Sequence, residues 1–154
     1  LLLFKPHLDQ WKPGEHTGTF RGNNLAFVAS KVSLEHYWQN DNLSKAVKYK
    51  EEILKDSLTQ IANKYKDVYD IDVRGRGLVY GFEIKNDKSM AGEISKKAFQ
   101  EGLIVETCGS ESQVVKFLPP LLIEEELLKE GLKRFEIAVD KLIEERSEHL
   151  KGEY

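Results

Sequence analysis

The sequence predicts an α+β fold: a small antiparallel sheet with flanking helices, reached through an irregular N-terminal segment and a helix. Three observations carry this expectation. Apolar residues recur at helical spacing up to about residue 65 and then switch to strand-like alternation. After residue 66 the elements read strand, helix, two strands, helix, an order that favours an antiparallel layer. Finally, 154 residues of which 40% are hydrophobic supply one domain-sized core.

Residues 1–24 carry turn chemistry in Lys12-Pro13-Gly14, Thr17-Gly18-Thr19 and Arg21-Gly22-Asn23-Asn24, and read as an irregular surface loop after a short strand. The opening Leu1-Leu2-Leu3-Phe4 lacks an initiator methionine and the positive start of a signal peptide, and is expected to be the tail of a buried strand cut from something larger. Asn23 and Asn24 are candidate caps for a helix over 25–38. Its first turns, Leu25-Ala26-Phe27-Val28-Ala29, are almost wholly apolar, which predicts burial on several sides. Asn40-Asp41-Asn42 breaks it. A second helix is predicted over 43–65, with Val47, Ile53 or Leu54, Leu58, Ile61 and Tyr65 as its apolar stripe.

Residues 68–73 alternate as a strand, Arg74-Gly75-Arg76-Gly77 reads as a turn or bulge, and 78–84 resumes the strand. A helix from Lys88 to about Gly102 is expected to turn Met90, Ile94, Ala98 and Phe99 inward, with Gly102 as its stop. Two further strands follow at 103–107 and 114–118, joined by Cys108-Gly109-Ser110-Glu111-Ser112-Gln113 and ended by Pro119-Pro120, which supply no amide donors. From Glu124 a last helix carries Leu128, Leu132, Phe135, Val139 and Leu142 at helical steps.

Composition narrows the function classes. The chain has 23 basic and 26 acidic residues, so no electrostatic case exists for a nucleic-acid partner. An aromatic content of 10% argues against disorder. The single cysteine, Cys108, excludes a disulfide scaffold and suits a reducing compartment. No apolar run approaches the ~20 residues of a membrane span, so no membrane association is expected. His7, His16, His36, His149 and Cys108 lack the close spacing of metal ligands. No nucleophile elbow and no paired carboxylates mark a catalytic loop.

Two segments carry candidate chemistry. Gly75, Gly77 and Gly81 invite comparison with a dinucleotide fingerprint, but they lead into Leu78-Val79-Tyr80, which is strand-like, whereas the fingerprint opens a helix. Arg74 and Arg76 are either solvated arginines at a bend or, for Arg74, a bidentate carboxylate receptor whose planar fork matches two oxygens. The loop Gly14-Glu15-His16-Thr17-Gly18-Thr19-Phe20-Arg21-Gly22-Asn23-Asn24 is either a generic polar loop or a set of N–H and O–H donors for a phosphate.

In combination these segments resemble class III pyridoxal-phosphate aminotransferases. The run Gly14-Glu15-His16-Thr17-Gly18-Thr19-Phe20-Arg21-Gly22-Asn23-Asn24 is similar to their diaminobutyrate–2-oxoglutarate branch, particularly that of ectoine biosynthesis. Three later runs agree in order and spacing: Asp72-Val73-Arg74-Gly75-Arg76-Gly77-Leu78, Gly102-Leu103-Ile104-Val105-Glu106-Thr107-Cys108-Gly109, and Val115-Lys116-Phe117-Leu118-Pro119-Pro120-Leu121. The resemblance implies the C-terminal small domain of a fold-type I enzyme, itself α/β overall. Residues 1–24 would be the margin of the large cofactor-binding domain, 25–40 a connecting helix and 41–154 the small domain. It implies pyridoxal 5'-phosphate as cofactor and a homodimer or higher homo-oligomer. Thr19 matches the threonine that binds the cofactor phosphate of the partner subunit, and Phe20, with Arg21 and Asn23, falls near that cofactor or the dimer interface. Arg74 matches the arginine that binds a substrate carboxylate, Arg76 a supporting basic position, and Cys108 a structural one.

The implied substrates are glutamate/2-oxoglutarate and aspartate semialdehyde/2,4-diaminobutyrate. The family's Schiff-base lysine precedes the signature loop, so no catalytic residue is expected in this chain and the fragment alone is expected to be inactive. Ornithine, acetylornithine and 4-aminobutyrate enzymes are the alternative within the family. Outside it, the alternative is a non-catalytic α+β interaction domain whose last helix docks a partner.

Overall fold

Asn23 opens the first helix as the sequence leads one to expect: its side-chain oxygen accepts the Ala26 N–H at 3.0 Å, satisfying one of the free donors of the first turn. The structure, a computed structural model, describes the backbone of residues 4–151 and the side chains of 4–148. The chain divides into two units, with the boundary between Leu43 and Ser44.

In the first unit a single 3-10 turn at Pro6–Leu8 and a series of tight turns precede helix α1, Asn24–Tyr37. Phe4 lies in no strand, and the rest of the expected strand tail, residues 1–3, lies outside the described residues. The expected burial of α1 is not observed: none of its residues is buried, and Leu25, Phe27, Val28, Val32 and Leu34 are all exposed. These side chains surround the helix rather than forming one stripe, and among the described residues of this unit there is no sheet to receive them.

The second unit is built on a four-stranded antiparallel sheet of order β1-β2-β4-β3: β1 Ile71–Arg76, β2 Val79–Ile84, β3 Glu106–Cys108 and β4 Val114–Phe117. Helices α2 (Asn42–Lys64), α3 (Met90–Gln100) and α4 (Glu125–Lys151) supply the rest of the core. Strand alternation sorts the sheet into two faces. Tyr80, Phe82, Ile84, Val115 and Phe117 join Leu54, Leu58 and Ile61 of α2, Met90 and Ile94 of α3, and the predicted α4 stripe in one buried cluster. At its centre the Phe135 ring meets Phe82 and Phe117 edge-on, with centroids 5.3 and 4.8 Å away. The opposite face carries Asp72, Arg74, Glu83, Glu106 and Lys116.

Three local expectations are corrected. Arg74-Gly75-Arg76 is not a turn but the end of β1, paired with β2. The turn is Gly77-Leu78, with Gly77 at φ 60° in the first central position, the place a tight II′ hairpin assigns to glycine. Phe99 points outward, 70% exposed, because the buried side of α3 is Met90, Ala91, Ile94 and Ala98, and residue 99 falls off that stripe. The strand expected over 103–107 pairs only at Glu106–Cys108. Extending that register would set Leu103 against Pro119, which has no N–H to give. Leu103 instead donates to the Ala98 carbonyl, closing α3 at Gly102, and the Val105 carbonyl accepts the Ser95 hydroxyl at 2.8 Å.

Candidate functional site

The hairpin fixes what surrounds Arg74. Its register pairs Arg74 with Gly81 and Asp72 with Glu83, so all four positions share the polar face of the sheet. The Arg74 Nη1 donates to the Asp72 Oδ2 at 2.5 Å, and Nη2 meets the Glu83 Oε2 at 2.6 Å. The Glu83 hydrogen bond, followed by that of Asp72, pushes the Arg74 pKa further above its already high value. Gly81 adds no side chain beneath the Arg74 stem, and the closest atom to a Cβ built there belongs to Val114, at 2.8 Å.

Next along β1, Gly75 lets Tyr80 of β2 lie against bare backbone. The Tyr80 ring is buried and its hydroxyl donates to the Glu51 Oε1 at 3.3 Å, with burial raising its pKa. Arg76 is exposed at the tip of the hairpin. The sequence thus assigns Arg74 to a turn or bulge rather than to β1, and misses Asp72 and Glu83 as its partners.

Chemically, the triad brings one guanidinium and two carboxylates together on a solvent-facing surface. Two of the five guanidinium N–H donors serve Asp72 and Glu83, and the other three have no partner among the described residues. A cleft of about 480 Å³ between the 103–106 segment, the 116–120 segment and α4 contains Leu103, Val105, Phe117 and Leu128 but not Arg74. Among the described residues no group of three or more His, Cys, Asp and Glu could hold a metal ion, and no helix is long and apolar enough to cross a membrane. Cys108 is a free thiol, half-buried in β3.

Thr19 and Phe20 belong to the first unit. Their loop is closed on itself: Arg21 N–H donates to the Gly18 carbonyl at 3.0 Å, Arg21 Nη1 to the His16 carbonyl at 2.7 Å, and Lys12 N–H to the Glu15 carboxylate at 2.7 Å. The Trp11 ring packs on His16 at 4.6 Å between centroids. Arg21 is thus spent on shaping the loop and Asn23 on capping α1, whereas the Thr19 hydroxyl bonds to no other described residue and Phe20 is 89% exposed. A free hydroxyl in a polar turn just ahead of a helix start fits one edge of a phosphate group. The loop offers nothing further to hold a ring.

Comparison with known proteins agrees with these motifs. Residues 5–139 match the family described as aminotransferase class-III. The chain is 51% identical over 146 residues to the diaminobutyrate–2-oxoglutarate transaminase of Wolinella succinogenes, covering 95% of this chain and 34% of that protein. The enzyme of the same name from Bordetella parapertussis is 47% identical over 147 residues, with the same two coverages. Among solved structures, the ornithine aminotransferase of Toxoplasma gondii superposes with a TM-score of 0.72 at 27% identity, over 90% of this chain and 32% of that one. The N-acetylornithine aminotransferase of Stenotrophomonas maltophilia gives 0.68 at 32% identity, over 79% and 32%. The chain spans about a third of the length of the curated relatives it matches. With the sheet and its helices shared with solved aminotransferases, and the family match running from the N-terminal loop into the last helix, the chain belongs to the class-III aminotransferases.

Proposed function

We propose that this chain is the C-terminal portion of a pyridoxal-phosphate-dependent aminotransferase. Its substrates are glutamate/2-oxoglutarate and aspartate semialdehyde/2,4-diaminobutyrate, as in ectoine biosynthesis. The observation that carries the substrate assignment is the similarity, at 51% and 47% identity over 95% of the chain, to two proteins named for that reaction. Solved aminotransferases named for ornithine and acetylornithine are less similar, at 27% and 32%.

In this reading residues 1–24 border the large domain, 25–40 connect the two domains and 41–154 form the small domain of a cytoplasmic homodimer. The cofactor, when bound, supplies an electron sink for the pair released at the substrate Cα. The chain's own residues position. The free Thr19 hydroxyl donates to the cofactor phosphate held by the partner subunit, and Phe20 borders that site. The unused N–H donors of Arg74 take the substrate carboxylate, which fixes which end of the molecule faces the chemistry. No catalytic residue is assigned within this chain, and the Schiff-base lysine is placed outside it.

Steady-state kinetics of the complete enzyme test both assignments. The wild type is expected to prefer 2,4-diaminobutyrate to ornithine and 4-aminobutyrate as amino donor. Arg74→Ala is expected to raise KM for 2-oxoglutarate by roughly 10- to 100-fold, the size of a lost charge-assisted contact. An unchanged KM would remove Arg74 from the site.

A further inference from the structure

Thr19 and Phe20 are the two central residues of a turn closed by the Arg21 N–H on the Gly18 carbonyl at 3.0 Å. A turn held in water by one backbone hydrogen bond opens readily, because that bond is exchanged for bonds to solvent at little net cost. Here the same residue closes the loop a second time. The Arg21 side chain folds back over Gly18, where an added Cβ would lie 3.4–3.6 Å from its Cγ, Nε and Cδ atoms, and Nη1 donates to the His16 carbonyl at 2.7 Å. His16 is itself anchored. Its ring packs on Trp11, and the turn just before it is closed from both sides, by the Glu15 N–H on the Lys12 carbonyl and the Lys12 N–H on the Glu15 carboxylate. Beyond Arg21, Gly22 at φ 71° swings the chain into the Asn23 cap of α1. No residue from 12 to 23 is buried, so these ties serve no core. They shape a surface, and its crest is Thr19.

We propose that Arg21 is a positioning residue for the cofactor phosphate: tied to His16 across Gly18, it holds the Thr19 hydroxyl ready for a phosphate oxygen, so that this order need not be imposed on binding. This rests on Thr19 being the donor to the phosphate held by the partner subunit. Arg21 acts through Thr19. Its loss therefore weakens phosphate binding only while the Thr19 hydroxyl is there to make the contact.

The complete enzyme, freed of cofactor, provides the test. It is titrated with pyridoxal 5'-phosphate and, separately, with pyridoxal, which lacks the phosphate, and the absorbance of the bound ring reports both. Thr19→Val is expected to raise the pyridoxal-phosphate Kd roughly 10- to 100-fold, the worth of one hydrogen bond to a charged group. Arg21→Met keeps an apolar stem without a donor, and is expected to raise it between about two- and tenfold, as for the release of one immobilised side chain. Neither variant is expected to change the Kd for pyridoxal. Arg21→Met added to Thr19→Val is expected to raise the pyridoxal-phosphate Kd no further, because both act on one contact. Arg21→Lys, whose ammonium also donates to a carbonyl, is expected to recover most of the loss. Arg21→Gln, whose amide is carried on a shorter stem, gives the methionine reading should that variant fail to fold.

Other outcomes would overturn the proposal in distinguishable ways. An unchanged pyridoxal-phosphate Kd in Arg21→Met, beside a raised one in Thr19→Val, sinks the positioning role and leaves the phosphate reading standing. An unchanged Kd in Thr19→Val defeats that reading, and the positioning role with it. Equal weakening of both ligands by Arg21→Met would make Arg21 a support of the fold alone. Additive losses in the double variant would give Arg21 a phosphate contact of its own, and no recovery in Arg21→Lys would remove the tie to His16 as its means.

Discussion

Gly75 decides whether the hairpin can hold Arg74 where it stands. A Cβ built there would lie 2.3 Å from the Val79 carbonyl oxygen and 2.5 Å from the Tyr80 ring, and the carbonyl is backbone and has nowhere to go. Gly75→Ala is therefore expected to destabilise the chain by about 1–3 kcal/mol, the usual size of overpacking. Gly92, in α3, has nothing within 4 Å of the same construction. Gly92→Ala is expected to stabilise by about 0.5–1 kcal/mol through helix propensity alone. Urea unfolding of the 154-residue chain checks both, and midpoints moving in the same direction would refute the close-approach account. The glycine–arginine run is legible as a place of unusual backbone, but its composition points to a turn at 74–77 where the structure has one at Gly77-Leu78. Alternating Arg and Gly carries turn chemistry and no hydrophobic alternation, so only the pairing with β2 reveals that residues 74–76 are strand. A glycine placed first in a two-residue turn at 77–78 was the available signal. That register alone sets Glu83 opposite Asp72 and exposes the triad.

Between elements, the tie from α4 to the start of α3 shows how charge adds to apolar packing. Arg146 donates from Nη1 to Asp87 at 2.5 Å and from Nη2 to Glu93 at 2.6 Å and to the Ser89 hydroxyl at 3.2 Å. Asp87 in turn accepts from the Ser89 hydroxyl and backbone N–H ahead of α3. The Ser89 hydroxyl first, and Arg146 after it, hold the Asp87 carboxyl below its ordinary pKa. A depressed carboxylate contributes stability that is present above the unfolded pKa and lost as pH falls through the folded one. Arg146→Met is therefore expected to cost about 1–2 kcal/mol at pH 7, discounted for partial exposure, with the deficit shrinking below about pH 4. Urea midpoints of both proteins at pH 7 and at about pH 3 test this, and a deficit independent of pH would exclude the ionic account. Helices with one clear stripe were readable: the α4 residues Leu128, Leu132, Phe135, Val139 and Leu142 are all buried as spaced. The exposure of helix α1 is not legible, because an all-round apolar surface states a need for cover without stating where the cover comes from.

At the scale of the whole molecule, the family was legible because four motifs stand in the same order across the chain, and collinearity is independent of how the pieces pack. The cluster of Arg74 with Asp72 and Glu83 was not, since it depends on the register of β1 on β2 rather than on the order of motifs. The chain spans about a third of its curated relatives, and this bears on its lysines. A lysine that attacks an aldehyde needs a neutral amine, which nature arranges by desolvating it or placing a second cation nearby. Here Lys64, Lys88, Lys116 and Lys129 lie beside Asp140, Glu111, Glu106 and Glu125, and those carboxylates push their pKa values up, the wrong direction for a nucleophile. Lys97 and Lys141 form ion pairs with Glu145 and Glu101, at 2.5 and 2.6 Å. Pyridoxal phosphate mixed with the 154-residue chain and then treated with borohydride should therefore label many lysines sparsely and none stoichiometrically. Intact mass and peptide mapping read this directly. One full equivalent fixed at a single lysine would show that the chain contains its own covalent cofactor site, and would overturn the assignment of that lysine to another part of the enzyme.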